Sequence, residues 1–303
     1  ITPTVGSIII NGPLTHFSTS TATLGSGTLI SGAGSLTFRG STAMTIQSNS
    51  SGYTGVVSMA RAEMANFNTA AGSLVINGAN GRLNGVPTFN IGHGGTLSLL
   101  NNAAINQVLN DRIAASADVN LRTGSFSLTG ALTGGTPVNT NQPADDFTVA
   151  GSSVITTAAI GTATTVSTTL SLDTLTRVER GTVLVRGRNL GISGNNGFIT
   201  VTTAPAGQVG TSPGNVAPGN TVNLAIIPWS IATQTSATGA GDAFTVEGNL
   251  GLRALVLAEH ATDLSTGTDS NARISGANAE TGTFTVNSLT LATGATFSGA
   301  TST

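Results

Sequence analysis

Few side chains in this sequence are placed to do chemistry. Asp145-Asp146 is its only adjacent acidic pair. Two carboxylates with backbone carbonyls beside them can hold Ca²⁺, which takes hard oxygen ligands. Neither an EF-hand loop nor a Gly-Gly-x-Gly-x-Asp repeat surrounds the pair, so a solvated turn before a strand at Phe147–Val149 is the preferred reading. Asp263 and Asp269, in Thr- and Ser-rich sequence, read the same way. The three histidines, His16, His93 and His260, lie far apart, and no pair has the short spacing of a zinc site. Gly92-His93-Gly94-Gly95 is similar to an oxyanion loop, but Thr96-Leu97 continues a strand repeat directly after it, which makes it a turn.

Arg177, Arg180, Arg186 and Arg188 with Glu179 form the densest charged cluster, a contact for a carbohydrate or partner or, more simply, a surface ion-pair face. The one tryptophan, in Ile226-Ile227-Pro228-Trp229, would stack on a sugar if exposed and pack on the fold if buried; burial is expected. A polysaccharide-cutting site would need several carboxylates brought close together, whereas the thirteen acids here are spread over the whole chain.

Composition removes further classes. All eleven basic residues are Arg, so Schiff bases, a P-loop lysine and Lys–Asn crosslinks are excluded. Cys is absent, which excludes disulfides and thiolate chemistry. A net charge of -2 offers no basic field for nucleic acid. No apolar run reaches the length of a membrane span; Val222–Ile231 and Leu252–Leu257 are short. The sequence opens on Ile1 without a leader and reads as a mature product or an excised segment. No cofactor is expected.

Charged residues make up 8% of the chain, against about 25% in ordinary soluble domains, so its surface must be built from Thr, Ser, Asn and Gly. The repeating unit explains that surface. Gly72-Ser73-Leu74-Val75-Ile76, Gly95-Thr96-Leu97-Ser98-Leu99, Gly124-Ser125-Phe126-Ser127-Leu128 and Gly181-Thr182-Val183-Leu184-Val185 each read Gly, small polar, apolar, any residue, apolar. That period of two describes a strand with one buried face. Irregular spacing and Asn-Gly turns such as Asn77-Gly78 favour an all-β, right-handed parallel β-helix, a β-solenoid with irregular loop excursions, over a propeller. Parallel coils stack Ser, Thr and Asn into outward ladders. Coils of about 20 to 25 residues would supply on the order of a dozen rungs, about 50 to 70 Å in all.

The organisation expected is solenoid repeats over 1–136 and a continuation with long loops over 137–260. A terminal β-repeat, the assembly end, follows over 261–303. Residues 137–144 and 204–220 read as loops, and 60–67, 103–112 and above all 252–264 as short helices.

Several stretches occur in a recognisable order: Ile30–Phe38, Ser51-Gly52-Tyr53-Thr54-Gly55, Gly72–Ile76, Ala79–Leu83, Gly94–Leu97, Asn110–Ile113 with Leu121–Gly130, Gly181–Gly187 and Ile226–Trp229. In that order they resemble the autotransporter-associated β-strand repeat proteins, long extracellular proteins especially common in planctomycetes and related bacteria. The resemblance implies a secreted or surface-displayed β-solenoid stalk without catalysis.

The function expected is that of a structural subunit of an extracellular or cell-surface fibre, a head-to-tail homopolymer joined by strand stacking. A glycan- or surface-binding adhesin and a polysaccharide-degrading enzyme are the alternatives, and extracellular polysaccharide is the possible second partner. Strand edges unprotected by charge invite pairing, which selects Val5, Ile8, Ile9 and Ile10 at one end and Phe284, Val286, Leu289, Leu291 and Phe297 at the other as the assembly contact.

Overall fold

A computed structural model describes residues 6–18, 20–59, 72–101, 109–133, 136–158, 166–192, 196–212, 217–234, 242–264, 269–278 and 283–297. Among the described residues the regular structure is almost entirely β-strand, with a single 3₁₀ turn, and it winds as a parallel β-solenoid. The first face holds eight strands, running from Leu14–Ser18 through Thr88–Gly92, Asp118–Arg122 and Thr140–Ala150 to Ser167–Arg177 and Asn196–Val201. The second face holds ten, from Ala22–Leu24 through Ser125–Thr129 to Gly251–Ala254. A third, short face begins with the parallel pair Gly6–Ile9 and Thr28–Ser31 and continues as single bridges Gly32–Tyr53, Asn49–Arg82 and Leu83–Ile113.

The period of two does what its chemistry requires, since Leu36–Gly40 and Ser125–Thr129 alternate strictly between buried and half-buried positions. Inward residues stack coil on coil. Leu36, Val57, Phe89, Val119, Phe147 and Leu175 form one column on the first face. On the second, Leu97, Phe126, Ile155, Val185 and Ala232 form another. The two meet where Phe126 and Phe147 pack edge to face at 5.1 Å. Outward residues form the expected polar ladders, with Asn120 Nδ2 donating to Asn90 Oδ1 at 3.0 Å and Ser127 Oγ to Ser98 Oγ at 2.9 Å.

The glycine of the repeat stands at the corner between these two faces. A Cβ on Gly124 would lie 2.4 Å from the Ile91 carbonyl oxygen, and one on Gly181 2.4 Å from that of Val149. Close approach to the preceding coil therefore demands glycine there. The same corner carries left-handed residues in successive coils, His93 and Gly94, Thr123, Gly151, and Glu179 and Arg180.

Several expectations change. Coil-to-coil hydrogen bonds span 20 and 22 residues in the first turns but 28 to 30 later. Longer coils mean fewer of them, and among the described residues the first face has eight strands, the last ending at Val201. One excursion is visible as a hairpin of Ala131–Thr133 with Thr136–Val138. Residues 140–144 are strand, not loop. Pro143 is tolerated because it lies where Thr140–Ala150 extends beyond the neighbouring Asp118–Arg122, so no partner needs its missing N–H.

The helix expected over 252–264 is a strand, Gly251–Ala254, followed by a single 3₁₀ turn at Leu257–Glu259. Antiparallel pairing with Asp242–Gly248 buries all of Gly251–Ala254, and that pairing overrides the helix propensity of Ala and Leu. The helix expected over 60–67 lies outside the described residues, as does most of that over 103–112.

The main stack does not run on uninterrupted to the last residues. Ile226–Gln234, Asp242–Gly248 and Gly251–Ala254 form an antiparallel meander that closes the second face, and Leu252, Ala254 and Leu255 join the main core. Parallel pairing then resumes in two small sheets, Ser270–Ile274 with Val286–Leu291 and Ala277–Asn278 with Thr296–Phe297, over a separate cluster of Leu264, Ala272 and Ile274.

Candidate functional site

The columns of the core determine what each end of the molecule exposes. At the first coil Ile8 stands in register with Ile30, Leu14 with Leu36 and His16 with Phe38, and all three of those partners are buried. Ile8 and Leu14 themselves are 37% and 43% exposed, because among the described residues no coil lies beyond them. Together with Ile10, Leu24 and Met44 they frame an apolar mouth of about 100 Å³ opening on the core. Ile9 and Phe17, on outward positions of the same coil, are 64% and 47% exposed. Ile10 is buried and belongs to the core, so it is not a surface contact; Val5 lies outside the described residues.

The opposite end repeats the arrangement. Leu289 pairs with Ala272 and Leu291 with Ile274, so both leucines occupy core-facing positions, yet they are exposed. Phe284 and Val286 pack partly against the terminal cluster. Phe297 lies in its strand, and its side chain is outside the described residues.

Backbone groups point the same way. The N–H of Ile10 donates to Ser31 and that of Leu14 to Ser35, so Ser7, Ile9, Thr15 and Phe17 turn their amides to the other side. Among the described residues that side has no strand. No Asp, Glu or Arg occurs between Ile1 and Phe38 or between Thr281 and Thr303. Exposed strand edges normally carry such blocking charges.

The acids differ from the sequence expectation. Asp145 and Asp146 are not in a turn but within the strand Thr140–Ala150. There Asp146 lies one register position before the Val119–Phe147 pair, beside Asp118, and the next coil brings Asp173 alongside. Partial desolvation, then the charges of Asp146, Asp173 and Asp118 and a hydrogen bond with Asp173, raise the Asp145 carboxyl above its ordinary value. Thr174 Oγ1 donates to Asp146 Oδ1 at 2.6 Å. Two pairs of acids thus stand side by side, Asp118 with Asp146 and Asp145 with Asp173, each pair brought together from successive coils. Among the described residues no group of three or more His, Cys, Asp or Glu is arranged to hold a metal ion.

The remaining candidates resolve into structure. Glu179 pairs with Arg122, 57 residues away, at 2.9 Å, with both side chains more than half exposed, a contact of small energetic weight. Trp229 is buried, as expected. A groove of about 460 Å³ over Ser58, Asn90, Asn120 and Thr148 has no aromatic side chain on which a sugar ring would stack. Gly210-Thr211-Ser212-Pro213-Gly214 matches the spelling of a serine nucleophile elbow. Ser212 Oγ, however, donates to Asn223 Oδ1 at 2.8 Å and ties a loop.

Local pattern gave no sign of two buried arginines. Arg112 donates to the Gly81 and Gly78 carbonyls and to Asn101 Oδ1, and burial, with Arg82 nearby, pushes it down to about 10. Arg253 lies fully buried against Glu259, as does His260 nearly so. Burial first, then Arg273, lower the His260 pKa, against an opposing pull from Glu259. A histidine held neutral in this way stabilises the fold fully above the ordinary value of about 6.5 and ceases to do so as pH falls below it. Urea melts between pH 8 and pH 5 are expected to show stability falling on the acid side, with His260→Gln flattening the slope.

Comparison with protein-family models, with curated proteins and with solved structures finds no match to this chain.

Proposed function

We propose that this chain is a non-catalytic structural β-solenoid of an extracellular or cell-surface fibre, and that copies join head to tail by strand stacking. The observation that carries this reading is that, among the described residues, core-facing side chains stand uncovered towards both ends, Ile8 and Leu14 on the main core and Leu289 and Leu291 on the small C-terminal cluster. Adding a coil would cover those side chains and satisfy the outward amides of Ser7, Ile9, Thr15 and Phe17. The sequence resemblance to secreted stalk proteins and the low charge of the chain agree with an extracellular setting.

Electron microscopy of the purified chain tests it. Filaments with a meridional spacing of about 4.8 Å are expected. Ile9→Pro removes a free-edge N–H without touching the ladder to Thr28–Ser31, and Phe17→Lys places a charge on the edge. Both variants are expected to stay as single rods with an unchanged melting transition. Single rods from the unaltered chain would overturn the reading.

The grouping of Asp118, Asp145, Asp146 and Asp173 on neighbouring coils favours one other reading, an enzyme cutting polysaccharide with a carboxyl and carboxylate pair. A fall in viscosity of a polysaccharide solution that Asp145→Asn abolishes would establish it.

A further inference from the structure

We infer that the head-to-tail joint is gated by protonation of His16, with the coil carrying Val286–Leu291 of a second copy as the occupant of the mouth. This rests on the fibre reading above and adds a regulation to it.

His16 occupies a core position, not a surface one. Its column runs His16, Phe38, Met59, Ile91, Leu121, Val149, apolar after the first member until the exposed Arg177 ends it. Its ring meets Phe38 edge-on at 6.1 Å, and its Nε2 is buried without a hydrogen-bond partner. The mouth around it is lined by Ile8, Ile10, Leu14, Leu24, Ile30 and Met44, none able to accept a proton. The nearest charged side chain on the packed strands is Arg39, which pairs in register with Phe17 and so occupies the outward position next to Phe38. His16 is the one ionisable side chain among residues 1–38, and residues 281–303 contain none.

The occupant follows from polarity and register. A parallel stack extends only when the free edge of the last coil meets the free edge of the first, so a second copy must arrive by its C-terminal end. There Leu289 and Leu291 stand two residues apart on one face, core-facing and exposed, the same spacing as Leu14 and His16. On that arriving coil the charged groups are Arg273, on the strand behind, and Asp269 beside it. Neither Val286–Leu291 nor the mouth offers a carboxylate.

Docking therefore closes an apolar lid of leucine over an imidazole with no acceptor. Neutral imidazole tolerates this, whereas imidazolium loses water and gains nothing. Protonation therefore opposes docking, and the joint weakens as the solution is acidified.

The test is the critical concentration for filaments, read by pelleting and microscopy at pH 7.5 and pH 5.5, for the unaltered chain and for His16→Phe. The unaltered chain is expected to need about tenfold more protein at pH 5.5. His16→Phe, which continues the column with an apolar ring, is expected to polymerise equally at both. An equal pH response in both proteins, or none in the unaltered one, overturns the gate and leaves the fibre reading standing. Single rods from both proteins at both pH values overturn the fibre reading and the gate with it, and assign the mouth to a preceding coil or another partner. Thermal melts of both proteins at each pH separate loss of the joint from loss of the fold.

Discussion

Replacing Arg253 with methionine is expected to cost about 3 to 5 kcal/mol of unfolding free energy, the penalty for leaving a buried charge without its partner. The guanidinium and the Glu259 carboxylate are both fully buried and meet in a two-point contact of 2.7 Å on each side. Glu259 also accepts from the backbone N–H of Val256 at 2.9 Å and of Gly219 at 3.1 Å. It thereby ties the loop before the antiparallel meander to the turn after it. Removing the arginine leaves that carboxylate ionised in an apolar setting or forces it to take up a proton. Removing both charges with Arg253→Met and Glu259→Leu is expected to recover much of the loss, since the pair itself repays its desolvation only in part. Chemical denaturation of the single and double variants measures the coupling. Equal losses from Arg253→Met and from the surface change Arg122→Met would refute the assignment.

The second large effect concerns a glycine. Gly55→Ala is expected to cost about 3 kcal/mol, at the upper end of overpacking penalties, while Gly52→Ala, three residues earlier, changes little. A Cβ on Gly55 would stand 2.0 Å from the Gly34 carbonyl oxygen and 2.6 Å from the Tyr53 hydroxyl, and neither can yield. Tyr53 is fully buried, its hydroxyl donates to that same Gly34 oxygen at 2.6 Å, and burial pushes its pKa up to about 12. A Cβ on Gly52 meets only the Ser31 Cβ, at 3.8 Å. The segment Ser51-Gly52-Tyr53-Thr54-Gly55 is thus a latch in which the tyrosine and one glycine close on the coil before. Thermal melts of the two alanine variants separate their roles, and equal melting temperatures would remove the latch from the account.

Much of this architecture is written locally. Alternation in segments such as Ser125–Thr129 names the face of a strand because neighbouring side chains point to opposite sides whatever lies beyond. The glycine ahead of each alternating run marks the corner. The turn at Gly92–Gly95 was legible from the residues on either side, though not the left-handed conformation of His93 within it, and the burial of Trp229 was expected from the resemblance. The two stretches read wrongly, 140–144 and 252–264, carry Pro, Asn, Ala and Leu whose local preferences point away from strand. Pairing with a neighbouring strand outweighed those preferences by tenths of a kcal/mol per residue.

By itself, the sequence determined the class of the fold, its parallel coils, the polar ladders outside and the chemistries ruled out by the absence of Lys and Cys. Only the tertiary structure decided which distant residues meet. Asp118 meets Asp146, and Asp145 meets Asp173, because the coil between them takes 28 residues, a length set by the excursions and not by the strand pattern. The ion pair of Arg253 and Glu259, six residues apart, depends instead on the antiparallel strand and the 3₁₀ turn that bury both groups. Periodicity tells a side chain which way to face, and the length of the coil decides what it faces.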